Sequence, residues 1–83
     1  MSPDRFEAQR QAIVALAREA RPYAEAEADQ ALSGCCPVYV ANNREHYVGI
    51  AARRLAQDAY RTGKTIAEVA VVPLADQQGR MVA

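Results

Sequence analysis

The chain has 83 residues, 51% of them hydrophobic, with ten Lys plus Arg balancing ten Asp plus Glu. That length supports one small domain, residues 1–83, burying only about 60 to 65% of the surface its unfolded chain exposes, so a partner or a second copy is the expected supplement to a thin core. The balanced charge disfavours generic binding to nucleic acid, and no apolar run approaches the roughly 20 residues that a membrane-spanning helix needs.

The N-terminus, MSPDRFEAQRQ, has neither the basic start nor the apolar core of a secretory signal, so a cytoplasmic protein is expected. Ser2-Pro3-Asp4 reads as a helix start, with Ser2 as cap, Pro3 at the first helical position and Asp4 near the positive end of the dipole. The spacing of Phe6, Ile13, Leu16 and Ala20 predicts their burial along one face of that helix. Pro22 is expected to end or kink it, since proline removes a hydrogen bond and crowds the preceding turn. A second helical piece, Tyr23 to Leu32, then stops at Ser33-Gly34.

Pro37 to Ala41 has the β-branched and aromatic composition of a short extended segment. Asn42-Asn43 reads as a turn or cap, with Glu45 completing a capping box. The long helix from about Arg44 to Thr62 carries an apolar stripe of Val48, Ala52, Leu55 and Ala59, the expected interface, opposite a solvated stripe of Arg54, Gln57, Asp58 and Arg61. Gly63 ends that helix, and Thr65-Ile66-Ala67-Glu68 is a capping box that starts another, limited by Pro73 to about two turns. A β-hairpin over residues 66–83, turning at Asp76 to Gly79, is the alternative. The fold class is therefore mostly α: a kinked N-terminal helix, a long central helix and a short capped C-terminal helix.

Residues that could carry chemistry are few. Cys35-Cys36, with His46 as a third candidate ligand, would be the metal or thiol redox site. Adjacent thiols in an extended segment diverge and no fourth ligand is conspicuous, so partly buried reduced cysteines, and no metal, are expected. His46 is the one side chain whose ordinary pKa lies near neutrality, and a small enzyme would use it in a pocket with Tyr39, Tyr47 and Arg53. It is placed in a helical first turn, where the dipole disfavours protonation. Gly49 inside a helix costs about 1 kcal/mol against alanine and marks a place where another backbone comes close. No phosphate loop, catalytic triad or cofactor motif is present.

Val48-Gly49, Ala51-Ala52, Ala56, Thr62-Gly63-Lys64-Thr65 and Glu68-Val69-Ala70 give residues 47–71 a pattern that resembles the small C-terminal domain of the fumarase/aspartase lyase superfamily. Glu45-His46 stands where that family has Asn-Pro, and VVPLADQQGR replaces its acidic tail. The resemblance implies a helical module that packs on a larger body, because the family's catalytic groups lie in other domains and none can be carried onto this chain. The function expected is a non-catalytic interaction or assembly module, self-associating through the Val48, Ala52, Leu55 and Ala59 stripe or through the N-terminal helix, or packing on a larger protein. The enzyme with a pocket at Tyr39, His46 and Tyr47, and the metal or redox protein at Cys35-Cys36, are the alternatives.

Overall fold

A computed structural model describes residues 3–74. Two long helices form an antiparallel hairpin: α1, Pro3–Ala31, and α2, Pro37–Thr62, followed by a single turn, α3, Ile66–Val69. No strand occurs among the described residues. The fold is the mostly helical domain that the apolar periodicity predicts.

Each boundary has a local cause. Pro3 opens α1, where its missing N–H leaves no hydrogen bond unmade. After Ala31 the amide of Leu32 still donates to the Ala28 carbonyl at 2.9 Å, and Gly34 takes a left-handed φ of 87° that turns the chain back. Pro37 then starts α2 behind Cys36, whose extended backbone provides the N-cap without a side-chain bond. Gly63, at φ 73°, closes α2 by donating its amide to Ala59 O at 2.9 Å. The Thr65–Glu68 capping box is complete, with the Glu68 amide donating to Thr65 Oγ1 and the Thr65 amide to Glu68 Oε1.

Three expectations are corrected. Of the end or kink expected at Pro22, the end does not occur: α1 runs through it. The proline is exposed, so water can reach the carbonyl it leaves unpaired, while Ala20 and Ala24 on either side are fully buried against α2 and hold the helix together. The segment at 37–41 is not extended but forms the first turn of α2, because a lone three-residue strand has no partner whereas Pro37 suits a helix start. Asn42 and Asn43 accordingly lie inside the helix, the Asn43 amide bonding back to the Tyr39 carbonyl at 2.9 Å. Finally, α3 is one turn rather than two and becomes extended at Ala70, ahead of Val71, Val72 and Pro73. A strand over residues 66–69 is thus ruled out, and residues 75–83 of the hairpin alternative lie outside the described residues.

The core is a seam of small side chains. Seven of the eleven buried residues among those described are alanines: Ala20, Ala24 and Ala28 from α1 face Ala51, Ala52, Ala56 and Ala59 from α2, with Leu32, Val48, Leu55 and Ile66 filling the larger gaps. On α1 the buried row recurs strictly every four residues, so it rotates about 40° around the helix per step. The face that α1 turns to α2 near Leu32 is therefore not the face it would need near Phe6. Ion pairs brace the seam: Arg21 to Glu45 at 2.8 Å, Arg44 to Asp29 at 2.8 Å, and Arg54 to Glu27. Exposed pairs of this kind contribute about 0–1 kcal/mol each, so they set register more than stability.

Candidate functional site

The two helices lie side by side in a layer whose least dimension is 15 Å, which leaves a groove along each side of the seam. At about 100° per residue, Gly49 and Arg53 fall on one side of the Val48 row, and Tyr47, Ala51 and Arg54 on the other. His46 and Tyr47 line a hollow on one side and Arg53 a hollow on the other, and neither hollow is lined by Tyr39.

On the first side, His46, Tyr47 and Ile50 of α2 face Ala28 and Ala31 of α1. His46 is exposed and is the tenth residue of α2, well past the first turn in which the sequence places it. Its ring meets Tyr47 edge-on at 6.3 Å, and no hydrogen bond reaches its nitrogens among the described residues. The Tyr39 and Tyr47 hydroxyls do meet, at 3.3 Å, and this hydrogen bond pushes the Tyr39 phenol above its ordinary pKa. That is the direction of a weaker acid, opposite to what an activated nucleophile or base would need. The charges here, Glu27 and Arg54, satisfy one another.

Cys35 and Cys36 lie between the two long helices and are exposed rather than partly buried. Among the described residues no three His, Cys, Asp or Glu side chains converge as metal ligands.

The stripe of Val48, Ala52, Leu55 and Ala59 is buried, and its cover is α1 of the same chain. On the second side, two adjoining hollows share Ile13, Val14 and Arg53 and form one groove between residues 6–21 of α1 and residues 48–57 of α2. Its walls are apolar: Phe6 is 59% and Val14 44% exposed, Ile13 and Ala17 are half-buried, and Gly49 presents bare backbone. A Cβ built on Gly49 would find nothing within 4 Å.

The expected burial of Phe6 and Ile13 along with Leu16 and Ala20 is thus only half met. Leu16 packs on the core and Ala20 is fully buried, whereas Phe6 projects into solvent. The fourfold spacing of Ala20, Ala24, Ala28 and Leu32 is the signal that would have shown it, since extending that rotating row backwards through Leu16 reaches Ala12 rather than Ile13. No helix among the described residues is long and apolar enough to cross a membrane. Compared with protein-family models, with curated proteins and with solved structures, the chain finds no match.

Proposed function

We propose that the chain is a non-catalytic helical interaction module, and that its contact surface is the groove lined by Phe6, Ile13, Val14 and Gly49. The observation that carries this reading is the exposure of Phe6 and Val14 at helical spacing beside a groove that no other part of the described chain fills. A thin, alanine-dominated seam supports it, because each buried alanine contributes little more than one methyl, about 0.8 kcal/mol, and further apolar contact would add to a small store. The resemblance of residues 47–71 to a domain that packs on a larger body points the same way.

The test is affinity purification of the full chain from its own host, in parallel with Val14→Glu. Position 14 is exposed, so the variant keeps its helical circular dichroism. The wild type is expected to retain a second copy or a partner protein in native mass spectrometry, and the variant to lose it. A strictly monomeric wild type, or equal retention by both, overturns the reading.

A further inference from the structure

The charges around the groove identify the kind of partner. Arg21, Arg44, Arg54 and Arg61 each pair with a carboxylate of the chain. Arg10, Arg18 and Arg53 do not pair with any described residue, and all three line the groove walls beside Val14. Arg5 likewise makes no ion pair with a described residue and Lys64 acts electrostatically on Glu68, but neither lines any part of the groove. Two described acids flank the groove: Glu7, which accepts a hydrogen bond from Gln11 at 3.3 Å, and Asp58, which pairs with Arg61 at 2.9 Å. An apolar trough flanked by three uncompensated guanidinium groups is complementary to an apolar stripe flanked by carboxylates.

We infer that the groove docks an acidic amphipathic helix of another protein, its apolar residues seated between Phe6, Ile13, Val14 and Gly49 and its carboxylates paired by Arg10, Arg18 and Arg53. This rests on the interaction-module reading and adds the chemistry of the partner. A second copy would bring the same three arginines face to face with only Glu7 and the already paired Asp58 to offset them. The chain's own residues 75–83 carry one acid, Asp76, and one base, Arg80, and so bring no net negative charge. A bilayer fits a convex apolar face, whereas these side chains line a trough between two helices. Gly49 fits the same occupant: nothing in the described chain needs its bare backbone, and a helix crossing there could come closer than any side chain would allow.

The experiment places a photo-crosslinking amino acid at Val14 or Gln57 in the full chain, and at Asn42 as an exposed position off the groove, in the native host. Adducts are identified by mass spectrometry. The expected result is a groove-specific adduct with one protein segment that has apolar residues at helical spacing and an excess of Asp and Glu. Arg10→Glu with Arg53→Glu should lower its yield about tenfold or more, and Arg10→Lys with Arg53→Lys should retain most of it. An adduct with a second copy or with a protein segment lacking acidic excess overturns the inference while leaving the interaction reading in place, and an adduct with lipid alone overturns both. Adducts at Asn42 but none in the groove overturn the assignment of the groove, and no adduct anywhere overturns both.

Discussion

Replacing Gly49 by alanine should stabilise the isolated chain and weaken its association, two effects of opposite sign from one methyl group. Gly49 lies in the body of α2 with an ordinary helical φ, unlike Gly34 and Gly63, and an added Cβ would meet no atom within 4 Å. Strain and overpacking therefore contribute nothing. Burial contributes nothing either, because the position is exposed. What remains is the difference in helix propensity between glycine and alanine, about 0.8–1 kcal/mol in favour of the variant. For a domain of this length that is a rise in Tm of about 4–8 °C.

Urea unfolding followed by circular dichroism measures the change directly: the midpoint should rise with an unchanged m-value. The same substitution at Gly63, where φ is 73°, should move the midpoint the other way by about 1–2 kcal/mol. An unchanged or lowered midpoint for Gly49→Ala at constant m would refute the reasoning, since it would mean the folded chain itself requires the glycine. Retention of the partner by Gly49→Ala should fall despite the gain in stability. Equal retention would contradict the close approach assigned to that position.

Pro22→Ala should raise the thermal midpoint, because it restores the amide that α1 lacks at this exposed position, a gain of up to about 3 kcal/mol. A fall would show that the proline shapes α1 to follow α2. Thr65→Ala removes the cap of α3 and should cost about 1 kcal/mol in chemical denaturation, with Ile66 losing its anchored position over the seam. The Glu68 carboxyl is held below its ordinary pKa by the Thr65 backbone amide and, secondarily, by the Thr65 hydroxyl. A depressed carboxylate contributes stability that is present above the ordinary glutamate value, about 4.3, and is lost as pH falls through the folded-state value. NMR titration of the Glu68 side chain should therefore give a value below the ordinary one, shifted part of the way back up in Thr65→Ala. An ordinary value in the wild type would contradict the capping box.

Much of this fold is legible in the residues, for local reasons. The glycine stop at Gly63 and the Thr65–Glu68 box are each fixed by a few neighbouring atoms, and both occur where the pattern places them. The stripe of Val48, Ala52, Leu55 and Ala59 is likewise buried. What covers it is a tertiary matter that its own spacing does not contain, and the cover is α1. Pro22 and the segment at 37–41 show context overriding local preference. Burial of Ala20 and Ala24 carries α1 across the proline, and a proline at the first helical position outweighs the β-branched Val38 and Val40. The groove was hidden for a different reason. Phe6 and Ile13 do recur with helical spacing, but the contact row of α1 drifts around its axis, so the N-terminal third of the helix presents an apolar face to solvent.

The account turns on whether Phe6 and Val14 are covered in the cell. Carbene footprinting of the full chain, compared between the purified recombinant protein and the complex isolated from its host, reads this at single side chains. Protection of Phe6 and Val14 in the complex is expected, with Val38, exposed at the far end of α2, labelled equally in both. Equal labelling of Phe6 and Val14 in the two samples, or protection confined to Val38 and Ile50, would contradict it.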